Sequence, residues 1–221
     1  MRELRALTPD RVGDLAGPCS PCSFWQTVPH NGHAIEPDPL VLLGNWVREV
    51  TEDWGPPGRV AYVDGRAAGY VLLAPARHVP RLAAFATAPS DPSTIMLLTT
   101  CAAEGESGRT LRKALVQGAA KDALRHKARS IDAIGARTHA ARQHPCVLEV
   151  DFLERVGFRL ARDHPAYPRL RLDLRTVLSL RDEVADVASR ALARITSLRP
   201  VPEAPRPDGA THARSSADRP E

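Results

Sequence analysis

Residues 94–134 read TIMLLTTCAAEGESGRTLRKALVQGAAKDALRHKARSIDAI, and the order of elements in that stretch decides the fold. Thr94–Thr100 is a mostly apolar run of strand length, the pattern of a strand buried on both faces. A polar, glycine-containing stretch, Glu104–Gly108, follows it. A helix of about five turns is expected next, over Arg109–Lys127. Leu111, Ala114, Leu115 and Gly118 fall on one face of it at three- and four-residue spacing. Ser130–Ile134 then alternates and predicts a strand. Strand, helix and strand make a βαβ unit, which requires two parallel neighbours in a sheet.

Upstream lies the clearest β signal of the chain. Arg59–Val63 and Ala68–Leu73 are β-rich runs separated by Asp64-Gly65. Such a dipeptide supplies the positive φ angles of a tight hairpin turn. Before it, Leu40–Trp54 predicts an amphipathic helix ended by Gly55-Pro56-Pro57. Residues 18–38 read as an irregular loop. Arg2–Leu7 predicts a strand, and Thr8-Pro9 a short helix start that runs out near Gly17-Pro18. Downstream, residues 136–146 read as a polar, His-rich loop. Val147–Val156 predicts a short helix with Gly157 as its stop, and Phe158–Ala161 and Leu170–Leu174 predict two more strands. Residues 176–197 predict a C-terminal amphipathic helix, and 198–221 a Pro-rich tail too poor in large apolar side chains to offset its ordering entropy.

Composition limits the function classes. The chain has 221 residues, 43% of them hydrophobic, enough for a real core. No run approaches a membrane span, and the N-terminus lacks the design of a signal peptide, so a cytoplasmic protein is the expectation. Thirty basic against 26 acidic residues leave a net charge of +4, with no basic block or aromatic-basic interleaving, which argues against a nucleic-acid partner. Four cysteines, Cys19, Cys22, Cys101 and Cys146, are too few and too scattered for a disulfide scaffold. Cys19-x-x-Cys22 with His30 and His33 behind it is a weak zinc signal with no recognised spacing, and no metal site is assigned. Cys146, after His144-Pro145 and ahead of a helix, is a candidate activated thiol or an inert buried one.

Taken together, these elements resemble the GNAT superfamily of acyl-CoA-dependent N-acyltransferases. Three features carry the resemblance: the hairpin around Asp64-Gly65, the strand–loop–helix of residues 95–113, and Phe152-Leu153-Glu154-Arg155-Val156-Gly157-Phe158. The last is similar to a helix-to-strand signature that the family often writes Phe-Tyr-Glu-Lys-Leu-Gly-Phe. Within the family the chain resembles an actinobacterial subgroup, through its Pro-Cys-Val-Leu and Tyr-Pro-Arg-Leu-Arg-Leu-Asp-Leu-Arg stretches. The resemblance implies an α/β fold with a mixed, mostly antiparallel central sheet flanked by helices, over residues 1–175. It implies acetyl-CoA as co-substrate and direct acetyl transfer to an amine whose identity is not readable. A monomer or homodimer is the expected assembly.

The resemblance also implies a cofactor site at Cys101, Ala102, Ala103, Ser107, Gly108, Arg109, Thr110, Leu111, Arg112 and Lys113. A helix N-terminus presents unpaired N–H groups and partial positive charge to a pyrophosphate. Here the sequence departs from the family's Arg/Gln-x-x-Gly-x-Gly/Ala. Only Gly108 matches a common glycine, Ser107 replaces the leading Arg/Gln, and Thr110 and Arg112 stand at the two defining glycine positions. Either the cradle is closed, or Arg109, Arg112 and Lys113 hold phosphate by charge-assisted bonds. The family's frequent tyrosine acid corresponds to Leu153, which cannot donate a proton. Tyr167 substitutes only if the fold brings it back; Glu104 and Glu106 are candidate bases or solvated loop acids. Trp25, Trp46 and Trp54 either line an acceptor groove or pack the core. The rival reading is a non-catalytic module that has lost the cradle.

Overall fold

The computed structural model describes residues 2–15, 22–28, 38–102, 106–142, 144 and 146–175. The expected C-terminal helix (176–197) and tail (198–221) lie outside the described residues, as do Cys19, His30, His33, Ala103 and Glu104.

Strand β1 (Arg2–Ala6) is followed by a 3₁₀ turn at Pro9–Asp14 rather than an α-helix. Thr8 has an extended backbone but makes no capping bond; its hydroxyl instead accepts from Arg11. Helix α1 (Pro39–Asp53) is capped by Asp38, whose carboxylate accepts from the Leu40 N–H at 2.8 Å. Strands β2 (Gly58–Val63) and β3 (Arg66–Pro75) form the expected hairpin, with Asp64 at φ 50° and Gly65 at φ 79°. Strand β4 (Ile95–Ala102) is buried along its whole length.

Helix α2 (Glu106–Arg125) begins three residues before the expected Arg109, so Ser107–Lys113 are helical from the start. Strand β5 is Ser130–Ala136 and a short helix α3 is Thr138–Ala141, inside the stretch expected to be loop. The expected helix over Val147–Val156 divides into strand β6 (Leu148–Glu149) and helix α4 (Val150–Arg155). Gly157, at φ 104°, stops α4 as expected, and β7 (Arg159–Arg162) and β8 (Arg169–Asp173) complete the sheet.

The strand order is β1-β2-β3-β4-β5-β8-β7, with β6 beside β5. The β4–β5 and β5–β6 pairs are parallel and the rest antiparallel. Two cores fill the two faces of this sheet. Leu43, Trp46, Val47 and Val50 of α1 pack on one face with Tyr70, Leu72, Met96, Leu98 and Ile134. Leu111, Leu115 and Ala119 of α2 pack on the other with Phe152 and Leu153 of α4 and Val71, Leu73, Leu97 and Ile131. The alternating side chains of each strand sort the residues between the two faces.

Candidate functional site

Strand β4 carries a bulge. Leu72 faces Thr99 but Leu73 faces Leu97, leaving Leu98 as an extra residue. The alternation of side chains reverses there. Met96 and Leu98 join the α1-side core, and so does Cys101; Ile95 and Leu97 join the α2-side core, and so does Ala102. Beside the bulge, β4 and β5 pair only at Met96 and Asp132. Beyond that point no further β4–β5 pairing is present among the described residues, and β4 runs out at Ala102 before α2 starts at Glu106. The first N–H groups of α2, which a helix leaves without partners of its own, therefore stand close along the chain to the end of a strand pair that opens.

The chain's own β6 lies beside this opening. Gly135 and Ala136 of β5 pair in parallel with Leu148 and Glu149 of β6. The opposite edge of β5 is taken by β8 and by the Gly135 N–H to Pro168 carbonyl bond, so β6 lies on the edge that faces β4. On α2, the Arg112 guanidinium carbon sits 3.9 Å from the centre of the Phe152 ring of α4. Arg109, Thr110 and Lys113 are exposed, whereas Gly108 and Leu111 are buried against the sheet. Thr110 thus carries its Cβ on the solvent side of the helix.

The residues named from the sequence divide accordingly. Cys101 and Ala102 end β4 with buried side chains, and Gly108–Lys113 form the first turns of α2. Leu153 has no exposed surface and packs in the α2-side core, so no acid stands at the family's tyrosine position. Trp25 and Trp46 are core residues; their indole N–H groups donate to the carbonyls of Cys146 (3.2 Å) and His78 (2.7 Å). Trp54 stacks on His126 with ring centres 4.2 Å apart. Cys146 is not at a helix N-terminus, since α4 begins at Val150.

Tyr167 lies on the connection from β7 to β8, beside the edge of β5 that β8 takes. The residues on either side of it accept from the end of β5, Pro168 from Gly135 and Ala166 from Arg137. Its ring meets Phe85 edge-on at 5.3 Å, and partial burial pushes its phenol above the usual tyrosine range. Next to it, the Arg137 guanidinium, followed by the His164 backbone N–H, holds the Asp163 carboxyl below the usual carboxylate range. A cavity of about 370 Å³ lies past the C-terminal end of β5. Arg142, Arg155, Glu149 and Asp151 are among its lining residues, and none of the described residues of 101–113 is. Sequence reading missed this cavity, because α3 lies in a stretch read as polar loop and β6 in one whose apolar spacing also fits a helix.

Asp132 stands at the β4–β5 junction with no exposed surface. Its carboxylate accepts from Arg171 at 2.6 and 2.9 Å and from Arg169 at 2.9 Å. These three bonds tie β5 to β8 at the level of the one β4–β5 pairing.

No protein-family model and no curated protein matches the sequence. Solved structures do match the fold. An N-acetyltransferase from Staphylococcus aureus Mu50 superposes with a TM-score of 0.51 at 14% identity, over 79% of this chain and 99% of that one. The yncA protein of Salmonella typhimurium, described as an acetyltransferase with its cofactor acetyl-CoA, superposes with a TM-score of 0.51 at 13% identity, over 78% and 94%. The mixed, mostly antiparallel sheet flanked by helices is accordingly the GNAT N-acetyltransferase fold.

Proposed function

We propose that the protein is an acyl-CoA-dependent N-acyltransferase that moves an acetyl group from acetyl-CoA to an amine by direct transfer. The observation that carries this reading is the parting of β4 and β5 next to the Leu98 bulge, at the end that leads into α2. Arg109 and Lys113, exposed on the first two turns of α2, are the cations to hold the pyrophosphate, assisted by the N-terminal N–H groups of that helix. Bound there, acetyl-CoA supplies the acyl group as an activated thioester. Tyr167, a phenol that burial keeps protonated, is the side chain to give a proton to the departing thiolate.

Calorimetric titration with acetyl-CoA and free-thiol detection against a panel of amines test this. Binding is expected, weakened roughly 10-fold or more in Arg109→Ala/Lys113→Ala. Tyr167→Phe is expected to keep the affinity and lower turnover about 100-fold. Absence of heat and of any thermal shift at millimolar acetyl-CoA would overturn the assignment.

A second reading, a binding or regulatory module without turnover, is favoured by three observations. The chain's own β6 takes the β4-facing edge of β5, Arg112 is spent on Phe152, and a core leucine holds the tyrosine position. No thiol release with any amine, in protein that retains its thermal transition, is the outcome that selects it.

A further inference from the structure

Cys22 and Cys146 are 124 residues apart in sequence, yet their sulfurs approach to 2.9 Å. We propose that these two thiols are a redox modification site that closes into a Cys22–Cys146 disulfide when the protein meets a hydroperoxide.

The separation is about 0.9 Å longer than an S–S bond of about 2.05 Å, so bond formation needs little movement of either segment. Neighbours on both sides already hold the pair. Trp25, three residues after Cys22, is buried in the α1-side core and donates its indole N–H to the carbonyl of Cys146 itself. Phe24 packs edge-on against Trp25, tilts against His144, and lies 4.4 Å under the Arg81 guanidinium, which also donates to the Phe24 carbonyl. Both cysteines are half-buried, open enough for a small oxidant, whereas Cys101 is buried in the core.

The chemistry balances in two steps. One thiolate attacks a peroxide oxygen and becomes a sulfenic acid, releasing hydroxide. The second thiol attacks that sulfur, the S–O bond breaks, the S–S bond forms, and water leaves. In total two thiols and one hydrogen peroxide give one disulfide and two waters. The bond would tie the 22–28 segment to the chain immediately ahead of β6, the strand that enters the β4–β5 opening.

The test uses the full chain carrying Cys19→Ser, so that Cys22 is the one cysteine in tryptic peptide 12–48. The protein is reduced, freed of reductant, exposed to hydrogen peroxide, alkylated and digested without reduction. The expected product is peptide 12–48 joined to peptide 143–155, released by reductant, with Cys101 the one thiol still alkylated in the intact product. Oxidation is also expected to raise the melting temperature by roughly 5 °C or more, because the bridge closes a long loop. No such rise is expected in Cys146→Ser, which should melt as the reduced parent does. Full alkylation of Cys22 and Cys146 after peroxide would overturn the proposal. So would a Cys19–Cys22 bond as the product in the unsubstituted chain, or stoichiometric zinc in the purified protein that Cys22→Ser releases.

Discussion

Asp132 shows how one residue can hold a sheet together at the point where two strands part. A carboxylate with no solvent access is tolerable only when its charge and lone pairs are matched, and Arg171 and Arg169 together supply three N–H bonds. The carboxylate in turn holds the Arg171 guanidinium above its ordinary value. Arg171 is half exposed and can recover water if the partner is lost; Arg169, at 16% side-chain exposure, cannot do so readily. Asp132→Ala should therefore cost about 3–5 kcal/mol in urea-denaturation stability. Arg171→Ala should cost less than Asp132→Ala, since Asp132 keeps Arg169. Equal losses in the two variants would mean that the Asp132–Arg171 pair, and not the stranding of the poorly exposed Arg169, sets the cost.

At the level of elements, the end of β4 approaches β3 as closely as only glycine permits. A Cβ on Gly69 of β3 would lie 2.5 Å from the Cys101 carbonyl oxygen and 3.0 Å from the Ala102 Cβ. Backbone cannot retreat cheaply, so Gly69→Ala should push β3 away from the end of β4. A loss of about 2–4 kcal/mol is expected, with an unchanged denaturant slope if the fold persists. A second element-level contact is the latch between the end of α1 and the turn at Ala76–His78. There Asp53 bonds His78 at 2.7 Å and Arg77 as well. The His78 bond first, and Arg77 next, hold the Asp53 carboxyl below its ordinary value. A depressed acid contributes stability above its unfolded value, near pH 4, and loses it as pH falls through the folded value. The difference in urea midpoint between the native chain and Asp53→Asn should accordingly narrow from about pH 5 to about pH 2. A difference constant across that range would show that the latch is not ionic.

The same scale shows what was legible in the sequence. The β2–β3 hairpin could be read because Asp64-Gly65 is a local signal, and β4 because an apolar run of that length has few other fates. The break between β6 and α4 could not, because Val147–Val156 is apolar at a spacing that a helix also satisfies; parallel pairing with β5, a tertiary contact, decides it. The start of α2 was misplaced by three residues because Glu106-Ser107-Gly108 resembles a loop in composition. The residues proposed to hold the cofactor could be named only as a segment, since the placing of Arg112 over Phe152 depends on the packing of α2 against α4. Likewise Cys22 and Cys146 carry no pattern, and only the fold makes them neighbours.

For the described molecule as a whole, a two-sided core centred on β3, β4 and β5 implies a gradient of stability across the sheet. All eight residues of β4 are buried, as are Ile131–Ala136 of β5, and both cores rest on them. At one margin, β7 pairs only with β8 and all four of its residues are exposed, with Leu160 at 53%. Opening β7 exposes little new apolar surface, so its amides should exchange with deuterium through local fraying. Opening β4 would expose both cores at once, so its amides should exchange only by global unfolding. Hydrogen-exchange mass spectrometry of the native protein should therefore show peptides across β7 labelled in the earliest samples. Those across β4 should label last, with a free energy equal to that from urea denaturation. Matching rates for β4 and β7 would mean that the sheet opens as one unit, and that the parting of β4 from β5 leaves no weak line in the fold.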